Sequence, residues 1–154
     1  MPEGFQGNNK EVRALSTYVK LMRAAESITS RVHKHLSCAG LTVSQFGVLE
    51  AIYHLGPLSQ RELGRKILRS SGNITMVIDN LEKRCLVSRE RAASDRRMFI
   101  VNLTGEGQKL IHKIFPSHAA LITNEFSVLN AADQKILGDL CKKVGVGVNN
   151  RIED

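Results

Sequence analysis

Leu86-Val87-Ser88-Arg89-Glu90-Arg91-Ala92-Ala93-Ser94-Asp95-Arg96-Arg97-Met98-Phe99-Ile100-Val101-Asn102-Leu103 decides the fold. Residues 86–91 and 98–103 read as two strands, and Ala92 to Arg97 as the polar tip that joins them. The apolar period on either side of this stretch is helical. The hairpin therefore stands alone in a helical chain.

Immediately upstream, Ile74, Val77, Ile78 and Leu81 recur at i, i+3, i+4 and i+7, the buried stripe of a helix running to about Arg84. A break at Arg69-Ser70-Ser71-Gly72 separates it from a short helix that Ser59 opens, with Glu62 completing a capping box. Leu63 and Ile67 face inward from that short helix. Before it, Thr42 and Gln45 cap a helix carrying Phe46, Leu49, Ile52 and Tyr53, which Gly56-Pro57 stops. Residues 10–38 read as one long helix closed by Gly40, with apolar positions from Val12 to Leu36 at steps of three and four. Downstream, Thr104 caps a fifth helix, with Glu106 in its first turn and Pro116 expected to kink or divide it. Asn130 and Asp133 open a sixth helix, with Gly145 at its expected end.

The expected fold is mostly α with a small β-hairpin wing. It is a winged helix-turn-helix over about 42–104 with additional N- and C-terminal dimerisation helices over about 10–38 and 104–145. Flexible tails over 1–9 and 149–154 flank the single domain of 10–148. A winged helix alone cannot cover Leu110, Ile114, Leu121, Phe126, Leu129, Ile136, Leu137 and Leu140, so a homodimer is expected.

Of the formal net charge of +7, residues 56–103 contribute ten Lys/Arg against five Asp/Glu. This localised basic patch fits a polyanion partner or a solvated basic face. In a helix-turn-helix the start of the second helix meets base edges in the major groove. Here that start offers Ser71, Gly72, Asn73, Thr75 and Met76, with Asn80 a turn and more further on. Gly72 permits close approach to a phosphate, Asn pairs with adenine edges, and Thr or Met meets a thymine methyl. Ser70 or Ser71 equally serves as an ordinary N-cap. Arg96 and Arg97 at the hairpin tip suit a narrow minor groove, with Asp95 expected to hold one of them by a bidentate pair. The alternative is an ordinary exposed ion pair. Gln60, Arg61 and Arg65 are expected at phosphates or as solvated side chains. Double-stranded DNA is the expected partner.

The chain resembles the MarR family of bacterial regulators from about residue 10 to 145. The resemblance rests on Leu-Ser-Gln-Arg-Glu-Leu-Gly (58–64), Ile-Thr-Met-Val-Ile-Asp-Asn-Leu-Glu-Lys-Arg (74–84), Leu-Val-Ser-Arg (86–89) and Ser-Asp-Arg-Arg-Met-Phe-Ile-Val-Asn-Leu-Thr-Gly-Glu-Gly (94–107). It implies a triangular homodimeric repressor on a palindromic operator, Arg97 as the minor-groove arginine, and Thr75 and Met76 at bases. It also implies release by a phenolic or other small lipophilic effector, or by cysteine oxidation. The family's pocket location implies candidate lining residues Ile28, Val32, His35, Phe46, Tyr53 and Arg89, each of which also reads as core or interface. Tyr18-Val-Lys-Leu-Met-Arg-Ala-Ala-Glu-Ser-Ile28 and Ile114-Phe-Pro-Ser-His118 resemble the quinone- and hydroquinone-sensing branch.

Cys85 stands where the family carries a Gly before the first wing strand, a position that often needs a positive φ. No cysteine precedes Cys38, and the carbonyl end of the first helix disfavours a Cys38 thiolate. A thiol switch at Cys85 or Cys38 and a winged helix used only for protein contacts are the alternatives to an effector-released repressor. The three cysteines, Cys38, Cys85 and Cys141, are scattered, which favours a reduced cytoplasmic setting over a disulfide framework or zinc site. His33, His35 and His54 lack metal-ligand spacing, so no metal or cofactor is expected. There is no apolar run of about 18 residues to span a membrane, no secretion-signal pattern, and no phosphate loop or catalytic constellation of an enzyme.

Overall fold

Local side-chain chemistry opens most of the helices. In the computed structural model, which describes residues 7–67 and 71–147, α1 (Asn9–Ser37) starts at a capping box. Asn8 accepts from the backbone of Lys10 and Glu11, and the Glu11 carboxylate accepts from the Asn8 N–H. Thr42 and Gln45 open α2 (Val43–Leu55) in the same reciprocal way, and Ser59 and Glu62 open α3 (Gln60–Lys66). The N–H and hydroxyl of Ser59 hold the Glu62 carboxyl below its ordinary pKa. The helix α4 (Ser71–Lys83) buries Ile74, Val77, Ile78 and Leu81 as its spacing predicts. Removing each from water contributes about 1.5–3 kcal/mol. Residues 68–70, which take in Arg69 and Ser70 of the expected break, lie outside the described residues, as do 1–6 and 148–154, which include most of the expected tails.

The strands are β2 (Val87–Arg91) and β3 (Phe99–Leu103), paired antiparallel from Val87↔Leu103 to Arg91↔Phe99. The hairpin is not alone: β1 (Leu58–Ser59) pairs with the outer edge of β3, giving a three-stranded sheet in the order β1-β3-β2. Two residues carry no readable period, so this strand exists only through its partner.

Cys85 adopts φ 55, as expected where the family has Gly. The turn there is closed by the Thr104 hydroxyl, which donates to the Cys85 carbonyl and accepts from the Gly107 N–H. Gly107 sits on the first turn of α5 (Gly105–Phe126), against the backbone carbonyl of Leu86. A Cβ there would overlap that carbonyl, which explains the glycine of the Leu-Thr-x-x-Gly motif.

Pro116 does not divide its helix, and the last helix runs two residues beyond its expected end at Gly145. The helix α5 continues through Pro116, and α6 (Ala131–Gly147), capped by Asn130, continues through Gly145. A proline in a helix removes one hydrogen bond and a glycine only adds backbone entropy to be lost, so neither is an absolute stop.

The chain divides into two compact units, Met1–His118 and Ala119–Asp154. The core of the first is built from Leu36, Leu49, Leu63, Ile78, Leu81, Val101 and Ile111, drawn from α1 through α5. The second holds the end of α5 and α6, and no residue of α6 is buried.

Candidate nucleic-acid interface

The start of α4, the face of α3 and the return strand of the wing meet in one groove of about 480 Å³. Arg61 and Arg65 line it from α3, Thr75 from α4, and Arg97, Met98 and Phe99 from the wing. Residues 36 positions apart in sequence, Arg61 and Arg97, thus share a surface with Thr75 between them in the chain. Arg61, Arg65, Arg96 and Arg97 are exposed, and among the described residues none of the four guanidinium groups forms an ion pair, although Arg65 lies close enough to Glu62 to help lower its pKa. Such an arginine-lined groove attracts phosphate oxygens.

On α4, Met76 and Asn80 are exposed, Asn73 and Thr75 half-buried, and the side chains of Ser71 and Gly72 lie outside the described residues. Gln60 does not extend into solvent: its amide donates to the Thr75 hydroxyl at 2.7 Å, and its own carbonyl oxygen is buried with no partner. It braces Thr75 from the neighbouring helix.

At the wing tip, Asp95 does not form the expected bidentate pair with an arginine. Its carboxylate accepts the backbone N–H of Arg97 at 2.9 Å, so it shapes the turn and leaves both guanidinium groups outward. The turn is closed further by Ala92 donating to Met98 and Met98 to Asp95. A short polar side chain satisfies a nearby N–H in a tight turn more readily than it reaches a long arginine.

Four of the six residues expected around an effector, Val32, His35, Phe46 and Tyr53, are linked through His118 and Phe115, and Arg89 is turned to other partners. Val32 and Phe46 line a cavity of about 250 Å³ together with Val43, Gly47, Glu50, Ile67 and His118. His35 lies next to it, its ring 6.3 Å from that of His118. Ile28 sits one turn before Val32 on α1, and Tyr53 reaches His118 through Phe115, whose ring lies 6.3 Å from Tyr53 and 6.5 Å from His118. The Tyr53 hydroxyl is 3.2 Å from His112 Nδ1, in a ring cluster with His54 and Phe115. The Arg89 guanidinium pairs with Asp79 and Glu82.

His118 is the residue sequence reasoning missed, although it closes the quoted Ile-Phe-Pro-Ser-His segment. Its ring packs on Phe46 at 4.3 Å, and its Nδ1 is buried without a hydrogen-bond partner. Burial holds its pKa below the ordinary 6.5; His35 adds to this and Glu50 opposes it. The neutral imidazole is therefore favoured, leaving one unsatisfied polar atom at an otherwise mostly apolar wall.

The thiols of Cys38, Cys85 and Cys141 are free and exposed, and Cys38 donates to the Lys34 carbonyl at the end of α1. Among the described residues no group of three His, Cys, Asp or Glu is placed to hold a metal, and no helix is long and apolar enough to cross a membrane.

This architecture recurs in known proteins. The chain is 37% identical over 134 residues to the HTH-type transcriptional regulator MhqR of Bacillus subtilis, covering 87% of this chain and 92% of that one. The BpsR regulator of Bordetella bronchiseptica, whose DNA binding is regulated by 6-hydroxynicotinic acid, superposes with a TM-score of 0.77 at 25% identity, over 84% of this chain and 98% of that chain. Sco3205 of Streptomyces coelicolor, solved in complex with DNA, superposes at 0.81 with 24% identity, over 96% and 92% of the two chains. The MarR family profile matches residues 41–99, the span from the start of α2 into β3. With its winged core, its capped helix pair and its relatives in agreement, this chain belongs to the MarR family of DNA-binding transcription regulators, which are not enzymes.

Proposed function

We propose that the chain is a homodimeric repressor that reads a palindromic duplex operator and leaves it when a small phenol, hydroquinone or quinone occupies the cavity beside His118. The observation that carries the DNA-binding half is the shared groove, where Arg61, Arg65, Thr75 and Arg97 face one ligand surface. Asn73, Thr75 and Met76 enter the major groove, with Ser71 and Gly72 at the phosphate-facing helix start. Asn80 extends that face, Arg97 enters the minor groove, Arg96 and Arg61 bind phosphates, and Asp95 and Gln60 brace Arg97 and Thr75.

Dimerisation is supported by the stripe Ile136, Leu137, Leu140 and Val144 on α6, all exposed in the single chain. A second copy that covers it also spaces two reading heads for two half-sites.

The effector half rests on the 250 Å³ cavity, a volume that suits one aromatic ring. Phe46 offers a stacking face and the orphan Nδ1 of His118 a hydrogen bond to a ring hydroxyl or carbonyl. BpsR supplies a precedent for control by a small aromatic compound.

DNA selected from a random pool, then titrated at several salt concentrations, tests the reading. Tight, steeply salt-dependent binding is expected, and Arg97→Ala should lower the salt slope by about one per contacting arm. A panel of phenols and quinones should release the DNA from the wild type and not from His118→Ala. Failure to enrich any sequence would overturn the regulator reading.

A further inference from the structure

We propose that Arg89 is a positioning residue that clamps the wing onto the DNA-reading helix, so that Thr75 and Arg97 present to DNA as one rigid head. The inference rests on the proposed DNA-binding role and adds the device that holds its two contact sites in register.

Asp79 and Glu82 lie three residues apart on α4, hence on one side of the helix. The Arg89 guanidinium, on β2, spans both. It is 2.7 Å from each carboxylate through Nη2, and its Nε donates to Glu82 at 3.1 Å. The backbone N–H of Arg89 also donates to Glu82, at 3.3 Å. A planar fork between two carboxylates fixes orientation as well as distance. The Arg89 side chain is 23% exposed and the Asp79 and Glu82 side chains 40% and 39%, so the arginine end of the clamp is sheltered while its acids still meet water.

The contacts continue to the tip. Arg89 and Arg91 sit two apart on β2 and therefore on one face of it. They flank the Phe99 ring, with guanidinium carbons 5.9 and 5.1 Å from its centroid. Arg91 then donates to the Arg96 carbonyl at 2.7 Å, next to Arg97. A continuous line of contacts thus runs from α4 through Arg89, Phe99 and Arg91 to the wing tip. With the carboxylates occupied this way, Arg89 is the one basic side chain of the wing strands turned to protein acids rather than outward.

The test compares Arg89→Met with Arg97→Ala on selected operator and on random duplex, after melting curves and circular dichroism confirm folded protein. Arg89→Met should lose about tenfold or more in operator affinity, the size of one lost base contact, with random-duplex affinity and salt slope unchanged. Arg97→Ala should instead lower both affinities and the slope. The swap Glu82→Arg with Arg89→Glu should recover most operator affinity. Unchanged operator affinity in Arg89→Met, or a swap that folds and does not recover, would overturn the clamp. A reduced salt slope would overturn it too, since that marks Arg89 as a phosphate contact. A wild-type chain that binds no operator would instead remove the DNA-binding reading itself.

Discussion

The winged core and the terminal helices use the same apolar alphabet to different ends. In the core, α4 buries every member of its stripe, and Leu36, Leu49, Leu63 and Val101 are fully enclosed. Of the long α1, only Val32 and Leu36 are buried, while Leu15, Leu21 and Met22 stand exposed; α6 buries nothing. A stripe at helical spacing therefore says that something will cover it, and not what. Inside the core the cover is the same chain. On α6 and the outer part of α1 the proposed cover is a second copy.

The sharpest way to break the contrast is inside the core. Gly107→Val drives a side chain into the Leu86 carbonyl and should destabilise by about 3 kcal/mol or more, beyond ordinary overpacking, as read by urea denaturation. Wild-type-like stability would mean that the junction of wing and α5 is looser than its geometry. The matching change outside the core is Leu137→Ser with Leu140→Ser. Sedimentation should show the dimer weakened, and operator affinity should drop more than about tenfold by mass action while helicity persists. An unchanged dimer would leave the exposed stripe without its proposed role.

A smaller effect sharpens the core side. Cys85→Gly relieves a left-handed residue and should raise stability by about 0.5–1 kcal/mol, with the operator affinity retained. A loss of stability would show that the Cys85 side chain contributes more than its backbone strain removes.

The smallest effect concerns pH. His118 has a folded-state pKa below its ordinary 6.5, so the unfolded chain takes up its proton first as pH falls. Its contribution is present above pH 6.5 and declines as pH drops through that value toward the folded-state pKa. His118→Phe should flatten that part of the stability profile in calorimetric melts from pH 7.5 to about 5. An identical slope in the variant would assign the dependence to other groups, with His35 and Glu50 the nearest.

Much of the fold was legible because it is local chemistry. Thr42 with Gln45, Ser59 with Glu62 and Asn130 with Asp133 announce helix starts three residues at a time. Asn8 with Glu11 carries the same signal and starts α1 one residue ahead of the expected residue 10. Pro116 as a dividing point and Gly145 as an end are overridden, because a breaker's local penalty is small enough for an established helix to absorb. The shared groove of Arg97 and Thr75 follows from their places at a turn and a helix start, and their contact with DNA is the proposal above.

The sequence by itself determined the element order, the buried stripe of α4, the outward arginines of the wing and the strained Cys85, since each depends on neighbours within a few residues. Only the tertiary structure decided that Arg89 joins Asp79 and Glu82, that Gln60 braces Thr75, that β1 completes the sheet, and that His118 meets Phe46. Those pairings span 7 to 72 positions, from Arg89 with Glu82 to His118 with Phe46. No local period encodes them, because packing of the whole core sets which distant side chains come within hydrogen-bond reach.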